Sequence, residues 1–146
     1  MFTGTFSVGV DSQRRVTMPR SWRLPSDTEE TAFYLMPGRG RRIQIVTQER
    51  MDAIFDALES TSVVNDDKMS AFTDVASKIQ VVTLDKQGRF AISPELTKHA
   101  GITTQAVFLG SITCGTILAP GEWTQRDTPL PSNLDILQQL EEIAKG

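Results

Sequence analysis

The sequence has few of the side chains on which most enzymes and metal proteins depend. Its 146 residues include one cysteine, Cys114, and one histidine, His99. A single cysteine excludes an internal disulfide and a multi-cysteine zinc site. His99 has no serine or cysteine partner in a catalytic pattern, and no spacing of His, Cys, Asp and Glu indicates a metal. We therefore expect no enzyme activity, no cofactor, no metal and no small-molecule substrate.

Long apolar segments are also missing. No run approaches the roughly eighteen apolar residues of a membrane span. The opening residues, MFTGTFSVGV, do not place a basic segment before an apolar block, as a secretion signal would. These absences predict a cytoplasmic protein that does not bind membranes.

The charge of the chain is acidic overall but unevenly distributed. The net charge of −3 argues against indiscriminate binding to polyanions. Residues 1–50, however, hold eight arginines and five acids, whereas residues 51–76 hold six acids and one lysine. A locally basic face can bind nucleic acid on an acidic protein, because salt screens charges beyond short distances. Charge alone favours the simpler interpretation, a solvated mixture of charges.

A ten-residue pattern occurs twice, 74 positions apart. Residues 10–19 read VDSQRRVTMP and residues 84–93 read LDKQGRFAIS. Both copies place an Asp after a hydrophobic residue, an Arg four positions later, and then an apolar–small–apolar run. We call residues 11–15 and 85–89 the first and second Asp–Arg loops. A repeat at a fixed offset indicates one supersecondary unit used twice about a two-fold axis.

Hydrophobic alternation predicts that each copy is a β-hairpin, with strands at 6–10 and 16–18 and at 79–84 and 90–92. Other segments predict four more strands, four helices and a short turn or helix at 20–23. These strands are at 31–36, 43–46, 106–109 and 116–119, and the helices at 48–59, 68–76, 94–100 and 134–144. Thr47 and Gly101 are the expected caps of the first and third helices, and Ser132 or Asn133 that of the last. The fold class is therefore mainly β with short helices, an α+β protein.

The spacing of Asp and Arg has a chemical consequence. At the two ends of a three-residue loop, the two side chains have the same parity and can lie on one face. The carboxylate can hold the arginine or accept backbone N–H bonds that fix the loop. The arginine then presents a forked guanidinium suited to a phosphate or to the edge of a guanine.

At these residues the chain resembles the MraZ family of bacterial transcriptional regulators, in the SpoVT/AbrB-like swapped-hairpin superfamily. That family carries two Asp-x-x-x-Arg repeats in a chain of about this length. The resemblance covers roughly residues 1–125. It rests on the opening residues 1–4, the run 11–19 and Trp22-Arg23 in the first repeat, on 84–89, Pro94-Glu95-Leu96 and Ala100-Gly101 in the second, and on Glu122-Trp123 at the closing junction.

The resemblance implies a double swapped-hairpin, AbrB-like barrel built from two tandem repeats, residues 1–76 and 77–126, with a C-terminal helical tail at 127–146. It also implies a ring-like homo-oligomer and a nucleoid-associated location. The function implied is sequence-specific binding to double-stranded DNA at tandem short promoter repeats of the division and cell-wall gene cluster.

The resemblance also assigns roles to individual residues. Arg15 and Arg89 are the implied DNA contacts, and Asp11, Asp85 and Gly88 organise their loops. The further basic candidates are Arg14, Lys86, Arg20 and Arg23. Arg14 stands where the first repeat usually has Gly, and Ser93 where the second usually has Pro.

Several alternatives remain open at this point. Arg14 is either a tolerated loop residue or an extra phosphate contact, and Arg20 and Arg23 either reach phosphates or cover Trp22. The basic cluster at 39–42 favours a solubilising turn. The same fold could also serve as an antitoxin-like or protein-interaction module with a protein partner. We expect the first loop, with more basic charge nearby, to contribute more to DNA affinity.

Overall fold

The computed structural model describes residues 1–59, 66–123 and 133–145, and these residues form an α+β protein, as the sequence predicts. Its eight strands and four helices closely follow the predicted segments. The strands are β1 (Thr5–Gly9), β2 (Arg15–Thr17), β3 (Ala32–Pro37), β4 (Arg42–Thr47), β5 (Gln80–Thr83), β6 (Arg89–Ala91), β7 (Gln105–Gly110) and β8 (Gly115–Leu118). The helices are α1 (Gln48–Glu59), α2 (Asp66–Ala76), α3 (Pro94–Ala100) and α4 (Asn133–Lys145), with short 3-10 turns at Arg20–Trp22 and Pro120–Glu122.

Six strands form one antiparallel sheet in the order β1-β7-β8-β4-β3-β5. The sheet contains three strands from before residue 76 and three from after it, and each group is divided by strands of the other, so neither repeat builds a sheet of its own. The remaining strands, β2 and β6, form a separate two-stranded antiparallel ribbon. Within the described ranges no pairing joins β1 to β5, and closure of the sheet into a barrel stays a prediction.

The predicted β-hairpins are wrong in their strand pairing. β1 pairs with β7 instead of β2, and β5 pairs with β3 instead of β6. Beyond each loop the chain turns away from its incoming strand, and β2 pairs with β6 of the other repeat. Hydrophobic alternation sets which face of a strand is buried but carries no information about a distant partner.

The ribbon packs against the large sheet through its buried face. Val16 and Phe90 are directly opposite each other in the register, and they are 1% and 3% exposed. Phe90 packs against Phe108 of the large sheet, with ring centroids 6.3 Å apart. A two-stranded ribbon is marginally stable alone, so this packing against the sheet is what keeps the two short strands in place.

Trp22 anchors the same core from the first repeat. Its ring lies edge-on to Phe2, with centroids 5.0 Å apart, and 5.6 Å from the ring of Phe108. Its indole Nε1–H donates to the backbone oxygen of Thr3 at 2.8 Å. The buried indole is therefore both packed and hydrogen-bonded, as a tryptophan in a core requires.

The helix ends confirm two predicted caps. Thr47 Oγ1 accepts the backbone N–H of Arg50 at the start of α1. Gly101 ends α3 in the left-handed conformation at φ +66°. α2 begins two residues before its predicted start, and the candidate cap Ser132 lies outside the described residues. In the described part of the chain, no helix has both the length and the hydropathy needed to cross a membrane.

One turn carries backbone strain. Ile112, between β7 and β8, has φ +69°, which is costly for a β-branched residue. Its N–H donates to Phe2 O at 2.8 Å, and its oxygen accepts the Phe2 N–H at 3.2 Å. The strained turn thus holds the N-terminal segment in a short antiparallel bridge.

We expect Ile112→Gly to raise the free energy of unfolding by about 1 kcal/mol, because glycine adopts this φ without strain. The isoleucine side chain is 49% exposed, so little burial is lost. Urea unfolding measures the change. Ile112→Val keeps the β-branch and is the control, expected to change stability by under about 0.5 kcal/mol. A loss of stability in the glycine variant would show that the side chain outweighs the strain.

Candidate functional site

In the first Asp–Arg loop, one carboxylate organises both the backbone and the arginine. Asp11 Oδ1 accepts the backbone N–H groups of Gln13 at 2.9 Å and of Arg15 at 2.8 Å. Its second oxygen, Oδ2, accepts Arg15 Nε at 2.7 Å. Two backbone bonds close the loop, from Asp11 N–H to Arg15 O and from Arg14 N–H to Asp11 O. The guanidinium therefore has a defined orientation at the loop mouth.

The second Asp–Arg loop repeats this geometry. Asp85 Oδ1 accepts the N–H groups of Gln87 and Arg89, each at 2.9 Å, and Oδ2 accepts Arg89 Nε at 3.0 Å. The backbone closes with bonds from Asp85 N–H to Arg89 O and from Gly88 N–H to Asp85 O, each at 2.9 Å. The sequence repeat is thus also a repeat of hydrogen bonds.

These contacts lower the pKa of both carboxyl groups below their ordinary value. The backbone N–H of Arg15 has the largest effect on the pKa of Asp11, and partial desolvation opposes it. The backbone N–H of Arg89 acts in the same way on the pKa of Asp85, again against desolvation. Both aspartates are therefore charged at neutral pH, and each holds its arginine as an ion pair.

These ion pairs orient the arginines more than they stabilise the fold. The side chains of Arg15 and Arg89 are 34% and 31% exposed, and partly exposed pairs contribute little to stability. Each carboxylate occupies only the Nε donor of its arginine. The terminal amino groups of a guanidinium carry the other four N–H donors, and these can bind a further planar or anionic partner.

The two loops are hydrogen-bonded to each other. Gly88 O accepts the N–H of Met18 at 2.9 Å, and Arg14 O accepts the N–H of Ile92 at 3.0 Å. Arg14 and Gly88 occupy equivalent positions, and both have positive φ, +60° and +76°. The left-handed residue of each loop therefore turns its carbonyl toward the other repeat, in a two-fold arrangement.

The ribbon brings the two arginines onto one surface. Arg15 is opposite Ala91, and Thr17 is opposite Arg89. Residues directly opposite in an antiparallel pair share a face, so both arginines lie on the face away from the buried Val16 and Phe90. Diagonal neighbours of this kind are roughly 7–8 Å apart. The sequence places these arginines 74 residues apart, and only the β2–β6 pairing makes them neighbours.

The other basic candidates divide into braces and exposed side chains. Arg14 Nε donates to Ile92 O at 3.0 Å and so ties the first loop to the second repeat. Arg23 Nη1 lies 2.6 Å from where a Cβ on Gly88 would stand, so the Arg23 guanidinium covers the second loop. Lys86 and Arg20 are exposed, at a loop tip and in the 3-10 turn.

The sequence analysis did not identify Gln80, which braces the ribbon. Its Nε2 donates to Ala91 O and its Oε1 accepts the N–H of Ser93, both at 2.9 Å. The equivalent residue of the first repeat is Phe6, so the repeat carries no signal for this contact. Ser93 supplies that N–H and also caps α3 through its hydroxyl, which accepts from Leu96 N–H. A proline at position 93 could do neither.

Three other polar side chains that the sequence analysis considered have structural partners outside the ribbon. His99 Nε2 lies 3.0 Å from Arg42 O, and Cys114 Sγ lies 3.3 Å from Gln44 Oε1. Arg41, in the basic cluster at 39–42, pairs with Glu122 at 3.6 Å. Among the described residues, no group of three or more His, Cys, Asp and Glu is placed to hold a metal ion.

Comparison with known proteins does not assign the chain to a family. No protein-family model matches it, and no curated protein matches it. The interpretation of the site therefore rests on its geometry and on the sequence pattern.

The lowered pKa of Asp85 predicts how the second loop responds to acid. Its contribution to loop stability is complete above the ordinary carboxyl value of 3.8 and is lost as pH falls through the lower pKa of the folded state. We expect NMR titration of the Asp85 carboxyl carbon to give a midpoint below 3.8. The protection factors of the Gln87 and Arg89 amides, which account for the intrinsic pH dependence of exchange, should fall over the same pH range. A midpoint at or above that value would contradict the hydrogen bonding described here.

A substitution at Gly88 tests whether the Arg23 guanidinium braces the second loop. We expect Gly88→Ala to cost about 1–2 kcal/mol of stability, because alanine is strained at this φ and its Cβ displaces the Arg23 guanidinium. Gly40→Ala is the matched control, since Gly40 has φ +61° with no atom within 4 Å of a built Cβ. Chemical denaturation of both variants in wild-type and Arg23→Ala backgrounds separates the two effects. If the stability difference between Gly88→Ala and Gly40→Ala is the same in the Arg23→Ala background as in wild type, Arg23 does not brace the second loop.

Proposed function

We propose that this protein is a sequence-specific DNA-binding transcriptional regulator of the MraZ type. Its site is the outer face of the ribbon, and it acts on tandem short promoter repeats of the division and cell-wall gene cluster. One observation carries the proposal: two arginines, each held by an aspartate, lie side by side on one two-stranded ribbon. The proposal includes a double swapped-hairpin unit, with DNA and further copies of the chain as its partners in the nucleoid.

The shape of the ribbon suits the major groove of DNA. That groove is about 12 Å wide and admits a two-stranded β-ribbon. An arginine whose Nε is held by a carboxylate keeps its terminal amino groups for bidentate contact with guanine O6 and N7, or with a phosphate. Holding the side chain in advance also lowers the entropy lost on binding.

The neighbouring cations support the same assignment. Lys86, within the second loop, and Arg20, close to the first loop in sequence, are exposed. Arg14 belongs to the first loop and contacts the second repeat, and the Arg23 guanidinium covers the second loop. Such side chains can contact backbone phosphates, which position a protein on DNA without reading its sequence. The six acidic residues of 51–76 all belong to α1 and α2. The overall charge of −3 therefore does not oppose a local basic face.

Tandem repeats supply the affinity that one unit lacks. A single ribbon makes few phosphate contacts and binds weakly, because non-specific affinity follows the number of phosphates neutralised. Several joined subunits on adjacent repeats gain affinity through effective concentration. We therefore include a ring-like homo-oligomer in the proposal, with the first loop contributing more affinity than the second.

The experiment starts by selecting bound fragments from genomic DNA and then titrates the selected site. We expect Arg15→Ala and Arg89→Ala each to weaken binding by about 1–3 kcal/mol, the value of one good bidentate contact. Arg15→Lys keeps the positive charge but lacks the forked guanidinium. We therefore expect it to lose sequence specificity as Arg15→Ala does. Arg50→Ala on α1 removes the same charge from an exposed position elsewhere and is the matched control.

Two outcomes would overturn this function. Unchanged affinity and unchanged salt dependence in both ribbon variants would exclude the ribbon as the DNA site. A stoichiometric protein partner whose binding survives both substitutions, together with no selected DNA motif, would favour the antitoxin-like alternative.

A further inference from the structure

A second surface, unrelated to the ribbon arginines, is an open apolar groove between α1 and α2. The groove has a volume of about 600 Å³. Its lining is almost wholly apolar, with Glu59 the one charged residue among the described residues that line it. The main lining residues are Met51, Ile54, Phe55, Phe72, Val75 and Ile79.

The groove leaves several large apolar side chains partly open to water. Phe55 is 45% exposed, Phe72 39% and Val75 57%. Scattered apolar residues on a surface are ordinary, but a contiguous group that lines a concave site indicates a binding surface. The groove therefore has the concavity and apolar lining of a surface that binds a row of apolar side chains from another structural element.

The wall formed by α1 carries a stripe of negative charge. Asp52, Asp56 and Glu59 are exposed and follow one another at helical spacing, each one position beyond an apolar residue of α1 that lines the groove. Residues 48–59 carry a net charge of −3, and residues 66–76 a net charge of −2. An occupant of this groove therefore meets an apolar floor and an acidic border.

We propose that the groove binds a basic amphipathic helix of a partner protein. Helix-in-groove recognition places apolar residues at three- and four-residue spacing into such a floor, with the flanking charges meeting the border. α1 has 12 residues and is thus about 18 Å long, which accommodates roughly three turns of a bound helix. Lysine and arginine flanks give complementary charge and steer the encounter.

The helices of this chain are poorer occupants than a basic helix. α4 exposes Leu137, Leu140 and Ile143, but residues 133–145 carry a net charge of −2. A second copy of the chain would present the same acidic groove face. Like charges at such a contact oppose binding, so electrostatic complementarity selects a basic helix over either of these.

The test uses the full chain and a fluorescent synthetic peptide of 16 residues, with leucines at helical spacing and lysines on the flanks. We expect saturable one-to-one binding that weakens as salt rises. A second peptide with the lysines replaced by glutamates, and a third with the leucines replaced by serines, should each bind at least about tenfold more weakly. Equal binding of the basic and acidic peptides would overturn the charge argument.

Matched variants locate the binding surface. We expect Phe72→Ser to weaken peptide binding by about tenfold and Ala71→Ser, the adjacent exposed position, to leave it unchanged. Asp56→Lys should weaken binding by about fivefold to tenfold, and Glu29→Lys should not. Circular dichroism and DNA binding of Phe72→Ser should match wild type. If Phe72→Ser binds the peptide as wild type does, the groove is not the site.

Two further outcomes would also overturn the proposal. Tighter peptide binding in Leu140→Ser would show that α4 occupies the groove. A lower mass of peptide-free Phe72→Ser by light scattering would show that a second copy occupies it. Because no ribbon residue is altered, failure here leaves the DNA-binding proposal standing, and the reverse also holds.

Discussion

The pairing of β2 with β6 is the contact on which the candidate site depends. Each strand has only three residues, and neither pairs with the strand that precedes it. The ribbon persists because Val16 and Phe90 are buried on its inner face and because a carbonyl of each loop accepts an N–H from the other repeat. Disturbing either half would move both arginines, since each repeat supplies part of the support for the other.

A second constraint acts within each loop. The aspartate carboxylate accepts two backbone N–H groups and the arginine Nε, so loop shape and arginine direction are set by one group. Hydrogen bonds to the charged form keep that group ionised. The energetic value of the ion pair is small at this exposure, and its importance lies in orientation. The two repeats reach the same geometry although Arg14 replaces the glycine found at the equivalent position, Gly88, because Arg14 accepts the left-handed conformation and uses its side chain as a brace.

Much of the local structure could be predicted from the sequence. The helix ends at Thr47 and Gly101 follow from capping chemistry, and the strands follow from alternation. The partners of the strands could not be predicted, because alternation is a local property and the β1–β7 and β2–β6 pairings join residues far apart in the chain. Gln80 was missed because its contacts with Ala91 and Ser93 exist only when the ribbon packs against the large sheet, a packing that the local pattern does not indicate. Whether the apolar side chains of α1 and α2 would be buried could not be predicted, because their burial depends on how the helices pack.

The sequence by itself determined that this protein has two equivalent loops, each with an aspartate and an arginine at a spacing that lets the carboxylate hold the guanidinium. That result is local, because loop closure and parity depend on a few consecutive residues. Only the tertiary structure decided that the two arginines share one face, that the loops bond to each other, and that α1 and α2 leave an apolar groove open. Those features depend on burial of residues that are distant in the chain, and burial is a property of the whole fold.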